Sequence, residues 1–335
     1  TPPLHEALCD TIARFHETDS ALLFNSCTSA NVTVACTLAG KGDVIFSDRF
    51  NHASIIDGCR LAGARTFVYR HGDVEHLAWA MGRVPGHAGL IVTDGLFSMD
   101  GDVAPLGWLR ELANRHGAKL MVDDAHAVGA LGPGGRGSAA EAGMAGEVDV
   151  LVGTLGKALG SYGAYACVSD QVRELLVNSA RTLIFSTGLP PASAAAAEAA
   201  LGVIEAEPER VGALRANARA LREAFAERGL PAGGSGAQIV PIVIGDADRA
   251  VAACRRALDD GVYAQAIRPP TVPEGTSRLR LTVMATHDPE DLREAAVVIA
   301  DAVGSVSADG DWCIDLPEPE PGDLRIVRAE AAARA

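Results

Sequence analysis

The stretch GLIVTDGLFSMDGDVAPLGWLRELANRHGAKLMVDDAH, residues 89–126, decides the fold. It begins with an apolar run, GLIVTDG. A helix-like segment follows at residues 105–117, opened by a proline and closed by a glycine, and a second apolar run, KLMVDD, ends the stretch. Both runs are apolar throughout instead of alternating, which is typical of strands buried on both faces. The stretch therefore predicts two parallel strands joined by a crossover helix.

Apolar runs of the same kind recur along the first half of the chain. They are ALLFNS (21–26), DVIFSD (43–48), VDVLVG (148–153) and AYACVS (164–169). Helix-like segments separate several of them. The predicted fold class is therefore α/β, with a mostly parallel sheet that helices cover on both faces.

The pattern changes near residue 191, where long helical segments broken around Pro208 begin. We predict a large domain over residues 1–206 and a smaller α+β domain over residues 207–304. The elements predicted for the smaller domain are strands at 238–245 and 278–283 and helices at 247–261 and 288–304. The last of these helices starts with Asp288 as its N-cap. The tail, residues 305–335, is acidic and proline-rich, and we expect it to be poorly ordered or docked on a neighbour.

Composition excludes several classes of partner. The 335 residues carry a formal net charge of -14 and no basic block, so nucleic acid and anionic membranes are not expected partners. The N-terminus has no signal-peptide pattern, and no apolar run reaches the length of a membrane span. The seven cysteines are scattered, with no metal-binding or disulfide-framework spacing. We expect a cytoplasmic protein without a metal site.

Two glycine-rich stretches do not fit nucleotide-binding motifs. GTLGKALG, residues 153–160, is not a P-loop, because only two residues separate its first glycines and Ala158 stands where serine or threonine is required. LGPGGRGS, residues 131–138, has no lysine and is more simply a tight surface turn. Neither has the glycine order of a dinucleotide fold.

Polar residues stand where the predicted strands end, and ligands of parallel α/β sheets bind beyond the carboxyl ends of the strands. The candidates are Cys27, Thr28, His52, Ser98, Asp123, Asp124, His126 and Lys157. Each has a plainer interpretation: an aspartate can cap a helix, a histidine can be structural, and a lone lysine more often lies in solvent. Glycines beside the lysine let a ligand approach the backbone closely. Only the combination points to chemistry.

Pyridoxal 5'-phosphate (PLP) requires this combination. A lysine forms a Schiff base with its aldehyde, and a carboxylate keeps its ring nitrogen protonated. An imidazole can lie on the ring face, while hydroxyls and a helix N-terminus can hold the phosphate.

The chain resembles the α-oxoamine synthases, which are PLP enzymes of fold type I, from about residue 4 to about residue 304. The motifs that carry the resemblance are ALLFNSCTSAN, SDRFNHASIIDGCRLAGA, VTDGLFSMDGDVAPL, LMVDDAHAVGALGPGGRGS, GTLGKALGSYG, ARTLIFSTGLPPA and IRPPTVPEGTSRLRLT. The resemblance implies a mostly parallel seven-stranded sheet and a smaller C-terminal α+β domain. The last motif favours the members that make 8-amino-7-oxononanoate in biotin synthesis.

The resemblance also implies a role for each matching residue. Lys157 is the lysine that forms the Schiff base and removes the α-proton of the amino acid, Asp123 pairs with the pyridine nitrogen, and His52 stacks on the ring beside the substrate. The residues implied to bind the phenolic oxygen of the ring are Ser98 and His126. Those implied at the phosphate are Cys27, Thr28 and Thr154, with Ser186 and Thr187 from the other subunit of a homodimer. Those implied at the substrates are Arg280, for the amino-acid carboxylate, and Thr271, for the acyl group.

The implied reaction joins an amino acid, L-alanine, to an acyl thioester with loss of carbon dioxide. The thioester is pimeloyl-CoA or its acyl-carrier-protein equivalent, and the product is 8-amino-7-oxononanoate.

The chain departs from the family pattern at two places. Family members carry a further N-terminal segment that closes the substrate mouth and the dimer interface, and nothing in this chain matches it. Cys27 is commoner in glycine-using relatives of the 2-amino-3-ketobutyrate ligase and 5-aminolevulinate synthase types. Those relatives, a secondary-metabolism acyltransferase and a non-catalytic homologue are the alternatives. Against a non-catalytic homologue, we expect a buried lysine opposite a buried carboxylate, which such a protein would not need.

Overall fold

The computed structural model describes residues 2–306 and the backbone of residues 326–327. The helices are α1 Pro3–His16, α2 Cys27–Leu38, α3 Ala53–Leu61, α4 Val74–Met81, α5 Leu106–His116, α6 Ser138–Glu141, α7 Asp170–Ser179, α8 Arg181–Ile184, α9 Pro191–Ala206, α10 Glu209–Ala226, α11 Ala247–Asp259 and α12 Pro289–Val306. The strands are β1 Ser20–Phe24, β2 Asp43–Asp48, β3 Arg65–Tyr69, β4 His87–Asp94, β5 Lys119–Asp123, β6 Val150–Thr154, β7 Ala164–Val168, β8 Ile239–Gly245, β9 Gln265–Ile267, β10 Ser277–Thr282 and β11 Ile326–Val327.

The chain divides into two compact units, and the division falls between Glu207 and Pro208. The short segment Ser98–Asp102 belongs to the second unit although it lies early in the chain, a feature absent from the predicted boundaries. Of the predicted tail, residues 305–306 end α12 and residues 326–327 form β11. The rest of the tail lies outside the described residues.

The first unit is built on one sheet with the strand order β1-β7-β6-β5-β4-β2-β3-β11. Strands β2 to β6 pair in parallel, and β7 runs antiparallel to both of its neighbours. This confirms the mostly parallel seven-stranded sheet of β1–β7, with β11 added antiparallel at the edge. The reversal at β7 follows from the chain length before it. Residues 155–163 are too few for the crossover that a parallel connection needs.

Two apolar clusters lie on the two faces of this sheet. Successive strand residues alternate between them: Ile91 and Val122 belong to one cluster, while Val92 and Met121 belong to the other. The first cluster includes residues of α1, α4, α5 and α9, and the second includes residues of α2, α3 and α7. The prediction of helices on both faces is therefore confirmed.

The second unit contains a three-stranded antiparallel sheet with the order β8-β10-β9. Helix α12 packs against α10 and α11. The side chain of Asp288 accepts a hydrogen bond from the backbone N–H of Glu290 at 2.7 Å, so it caps the start of α12 as the sequence predicts. Among the described residues, no helix is long and apolar enough to cross a membrane.

Candidate active site

The candidate site lies in the first unit, at the carboxyl ends of β4, β5 and β6. Asp94 and Asp123, the last residues of β4 and β5, are paired in register. Thr154 ends β6, and Lys157 follows in the connection to β7. A parallel sheet brings such strand ends to one edge, which is where ligands of this fold class bind.

Asp123 presents a buried carboxylate at this edge, with only 5% of the residue exposed. Its Oδ2 accepts a hydrogen bond from Asn31 Nδ2 at 2.6 Å, and its Oδ1 accepts one from the backbone N–H of Ala125 at 3.0 Å. Two bonds occupy about half of the lone-pair positions of a carboxylate. Asp123 can therefore still accept a bond from a ligand.

Asp124 directly follows Asp123 at the end of β5, but its side chain has a structural role. Its carboxylate accepts hydrogen bonds from the backbone N–H of Ser138, at 2.8 Å, and from the Ser138 hydroxyl. Burial raises the pKa of Asp124 to about 7, although the bonds from Ser138 lower it. The two adjacent aspartates thus differ in function, and only Asp123 is linked to the other candidate residues.

His52 is exposed and stands at the N-cap of α3. Its Nδ1 accepts a hydrogen bond from the backbone N–H of Ser54 at 3.2 Å and lies 2.7 Å from the Ser54 hydroxyl oxygen. The backbone N–H of His52 donates to Asp94 Oδ1 at 3.2 Å. Both the backbone and the ring of His52 are therefore held by hydrogen bonds at the edge of the sheet.

Asn31, Ser54 and Asp94 are members of the site that the sequence prediction omits. Asn31 lies in α2 and donates from Nδ2 to both Asp123 and Ser54, the latter at 2.9 Å. Burial, and then the charge of Asp123, raise the pKa of Asp94 well above its ordinary value. Two signals were available in the sequence. Asn31 lies one helical turn after Cys27, and Asp94 ends its apolar run as Asp123 ends the next.

Lys157 lies in a tight turn closed by a hydrogen bond from the backbone N–H of Gly160 to its carbonyl oxygen, at 3.0 Å. Burial is the main cause of the raised pKa values of Cys27 and Asp94, and the ammonium group of Lys157 offsets a small part of both, so the lysine lies within electrostatic reach of these residues. The residue is exposed, and the expectation of a buried lysine is therefore wrong for the single chain. A turn between two antiparallel strands leaves a side chain at its tip open to solvent.

Gly153, the more distant of the two glycines that precede Lys157 in this motif, leaves space for the side chain of Tyr165. A Cβ atom on Gly153 would lie 2.1 Å from Cζ of Tyr165, whose ring is fully buried on β7. Gly156 is different, because the nearest atom to a Cβ there lies 3.6 Å away. The requirement for glycine at 153 thus comes from packing between β6 and β7.

Helix α2 begins at this edge with Cys27 and Thr28, after the N-cap Ser26. The thiol of Cys27 lies 3.6 Å from the carbonyl oxygen of Gly153. Burial, followed by the charge of Asp123, raises the pKa of Cys27 to about 12, so the side chain is a neutral thiol. Thr28 is exposed in the first turn, where backbone N–H groups have no partners within the helix and suit an anion.

The other residues predicted at the cofactor are placed as follows. The Thr154 hydroxyl donates to the Gly163 carbonyl and accepts from the Gly156 N–H, both at 3.2 Å. Ser186 and Thr187 are exposed, and Asn25 Nδ2 donates to the hydroxyl of Ser186 at 2.6 Å and to the carbonyl of Thr187 at 2.7 Å. His126 is half-buried, three residues after Asp123.

Three predicted residues belong to the second unit. Arg280 lies on β10, and its Nε donates to the carbonyl oxygen of Ser98 at 2.5 Å. Burial lowers the pKa of Arg280. Its neighbour Arg278 is buried and paired with Asp100, so of these two arginines Arg280 has the side chain more open to a ligand. Thr271 is exposed.

The residues of the first unit fit PLP. Asp123 is a buried carboxylate with free acceptor capacity, which suits a protonated ring nitrogen. The charge of the Lys157 amine interacts with Cys27, as the charge of Asp123 does. The first turn of α2 has backbone N–H groups that suit a phosphate. Asn31, Ser54 and the Ala125 N–H hold the carboxylate and the histidine in place before any ligand arrives.

Comparisons with known proteins extend over most of the chain. The model of the family described as aminotransferase class I and II matches residues 1–299. The chain is 52% identical over 305 residues to an 8-amino-7-oxononanoate synthase of Geobacter sulfurreducens, across 90% of this chain and 78% of that protein.

Two solved structures have the same fold. A serine palmitoyltransferase from S. paucimobilis with bound PLP-myriocin superposes with a TM-score of 0.87 at 33% identity, covering 91% of this chain and 78% of that one. An 8-amino-7-oxononanoate synthase from Francisella tularensis superposes with a TM-score of 0.79 at 26% identity, covering 91% and 88%.

Proposed function

The chain belongs to the aminotransferase class I and II family and, within it, to the α-oxoamine synthases, and we propose that it condenses L-alanine with a pimeloyl thioester to form 8-amino-7-oxononanoate. It is a PLP-dependent acyltransferase of the biotin-synthesis type. The observation that carries the choice of substrates is the 52% identity to a relative with that name, across 90% of the chain.

PLP, when bound, withdraws electrons from the α-carbon of an amino acid attached to it. In the proposed reaction, Lys157 Nζ would hold the cofactor aldehyde until the amino group of alanine takes its place there, and the released lysine amine would then accept the α-proton of alanine. Its exposed position in a turn places its side chain where it can perform both tasks. Asp123 accepts the hydrogen bond of the ring nitrogen, and its burial strengthens that interaction.

The remaining residues orient the reactants in this proposal. His52 stacks on the ring, while His126 and Ser98 hold its phenolic oxygen. Arg280 binds the carboxylate of the amino acid with two parallel N–H donors. Its Nε is bonded to Ser98 and one N–H of Nη1 is directed at Thr282 Oγ1 at 3.4 Å, which leaves a further N–H on each terminal nitrogen for that contact. Thr271 contacts the acyl chain.

The phosphate is held, in the same proposal, at the start of α2 by Cys27 and Thr28 and by the Thr154 hydroxyl. Ser186 and Thr187 bind the phosphate of a second subunit, which makes the enzyme a homodimer with shared sites. The exposed aromatic ring of Phe185, 74% accessible in the single chain, supports burial of this segment against another copy.

The six cysteines of the described part of the chain are all free thiols, which supports a cytoplasmic location. Burial raises the pKa values of Cys9, Cys27, Cys36, Cys59 and Cys167, so these five thiols are not activated nucleophiles.

A glycine- or serine-using reaction is the second candidate. Cys27 favours a glycine-using relative, and the similarity to a serine palmitoyltransferase is the structural counterpart. A matrix of assays decides between them. The full chain with PLP is given alanine, glycine or serine, each with acetyl-, pimeloyl- or palmitoyl-CoA, and release of free CoA is measured. We expect alanine with pimeloyl-CoA to give the highest kcat/KM. Preference for another pair would replace the proposed substrates.

A further inference from the structure

A continuous chain of hydrogen bonds joins Asp123 to His52 inside the first unit. Asp123 Oδ2 lies 2.6 Å from Asn31 Nδ2, the same nitrogen lies 2.9 Å from Ser54 Oγ, and Ser54 Oγ lies 2.7 Å from His52 Nδ1. The four residues come from β5, α2, α3 and the N-cap of α3. Three separate elements are thus connected through two side chains that have no role in the proposed reaction.

The donor directions in this chain diverge from Asn31, towards Asp123 on one side and towards Ser54 and His52 on the other. An ionised carboxylate can only accept, so Asn31 must present its NH2 group to Asp123, and its second N–H goes to Ser54. Because Ser54 Oγ already accepts from Asn31, its own hydrogen is directed to His52 Nδ1. The backbone N–H of Ser54 donates to the same nitrogen at 3.2 Å. Nδ1 is therefore an acceptor, and the ring proton lies on Nε2.

The burial of Asn31 shows that this orientation has a cost. The residue is 0% exposed, and its Oδ1 is a buried oxygen without a hydrogen-bond partner in the described part of the chain. An unpaired buried acceptor costs about 1–3 kcal/mol. An asparagine needed only for packing would not keep one end unsatisfied in order to direct both N–H groups to Asp123 and Ser54.

We propose that Asn31 and Ser54 are positioning residues, which couple the Asp123 carboxylate to His52 and hold its ring as the tautomer with the proton on Nε2. His52 is exposed, so this tautomer presents an N–H donor on the open side of the site. Such a donor fits a carbonyl or carboxylate oxygen of a substrate. The catalytic use of the donor rests on the proposed function, whereas the tautomer does not.

The tautomer can be measured directly in the full chain. Nitrogen-15 NMR of histidine-labelled protein, without added PLP, distinguishes the two ring nitrogens, and loss of one set of signals in His52→Gln assigns them among the nine histidines. We expect the unaltered chain to show the Nε2–H form of His52. A ring with its proton on Nδ1 would overturn the proposal without any variant at the network.

Variants then test the two linking residues. Ser54→Ala and Asn31→Ala should each shift the tautomer ratio toward Nδ1–H by about 3- to 10-fold, the effect of losing one neutral hydrogen bond. Ser54→Thr, which keeps the hydroxyl, should restore the ratio. Ser47→Ala and Asn217→Ala remove a buried serine and a buried asparagine outside the network, so they should leave the ratio unchanged. An equal shift in these controls, or no shift in Ser54→Ala, would refute the coupling.

A kinetic measurement separates this inference from the proposed function. With PLP bound, Ser54→Ala should lower kcat by about 3- to 10-fold with the affinity for PLP maintained. A tautomer shift in a chain that uses other substrates would refute only the proposed function. A normal tautomer response with unchanged kcat would refute the catalytic use of the Nε2–H donor.

Discussion

Asp94 and Asp123 lie opposite each other on neighbouring parallel strands, and both are buried. Two carboxylates so close in a dry environment cannot both be charged without a large cost. Asp123 Oδ2 accepts a hydrogen bond from the Asn31 amide at 2.6 Å, whereas Asp94 Oδ1 accepts a longer one from the backbone N–H of His52, at 3.2 Å. Burial and the Asp123 charge raise the pKa of Asp94 well above that of a free aspartate. Burial and the charge of Asp123 therefore favour the neutral form of Asp94.

We predict that Asp94→Asn is more stable than the unaltered chain at high pH, and that this difference grows as the pH rises. Asp94 has a raised pKa in the folded state, so its contribution to stability is fully present below the ordinary value of 3.8 and declines above it. An asparagine has no such decline. We expect the melting temperature of Asp94→Asn to exceed that of the unaltered chain by about 2–4 °C at pH 8. The same difference in melting temperature between Asp94→Asn and the unaltered chain at pH 8 and at pH 4 would contradict the raised pKa of Asp94.

Lys157→Ala should abolish turnover while PLP still binds without a covalent bond. The chain has only three lysines, Lys41, Lys119 and Lys157, so covalent attachment can be mapped without ambiguity. Borohydride reduction of the unaltered protein with PLP, followed by peptide mass spectrometry, should place the cofactor on Lys157. Lys119→Ala is the matched control, since this half-buried lysine lies at the other end of β5 from Asp123 and its Nζ pairs with Asp149 Oδ1 at 3.6 Å, so the variant should keep full activity. Labelling at another lysine would reject the proposed role.

Much of the fold could be predicted from the sequence, because buried parallel strands and their helices leave strong local patterns. Strand β3 was missed since only Phe67–Tyr69 of its five residues are apolar, and Val68 is exposed. The antiparallel direction of β7 was not predicted either. The predicted runs at 148–153 and 164–169 leave only residues 154–163 between them, too few for the crossover of a parallel pair, so the direction could have been inferred from the sequence.

The site residues that follow strands could be predicted from the sequence. The residues that reach the site through contacts between distant parts of the chain could not. Asp123 and Lys157 follow apolar runs, so their positions made them candidates, and the combination with the other strand-end residues pointed to chemistry. Asn31 is 92 residues from Asp123 in the chain, and no pattern of neighbouring residues predicts a contact over that separation. The glycine at 153 was attributed to the approach of a ligand. Its reason is the ring of Tyr165, a contact that also depends on the folded structure.

Ser138→Ala should destabilise the protein more at high pH than at low pH. The pKa of Asp124 is raised to about 7, so the carboxyl group is neutral below that pH and charged above it. The Ser138 hydroxyl donates to this group, and a donor supports the charged form most. We expect a loss of about 1.5–3 kcal/mol in the free energy of unfolding at pH 8.5 and a smaller loss at pH 5.5.

Urea unfolding at the two pH values measures this difference. Asp124→Asn is the matched control for charge, because its amide does not titrate, and Ser138→Ala in that background should cost the same at both pH values. A loss that is independent of pH in the unaltered background would show that Asp124 does not change charge in this range.

Gly153→Ala should destabilise the fold through the Tyr165 ring. A methyl group at residue 153 would lie 2.1 Å from Cζ of this ring, which is fully buried and held by a hydrogen bond between its hydroxyl and His16 Nε2 at 2.8 Å. Since the ring cannot move without losing that bond, we expect a cost of about 2–4 kcal/mol in thermal or urea unfolding. Gly156→Ala, three residues on in the connection that follows β6, meets no atom closer than 3.6 Å and should cost much less. Tyr165→Leu removes the ring, so adding Gly153→Ala to it should cost less than in the unaltered chain. Additive losses in the double variant would mean that the glycine at 153 is required by something other than Tyr165.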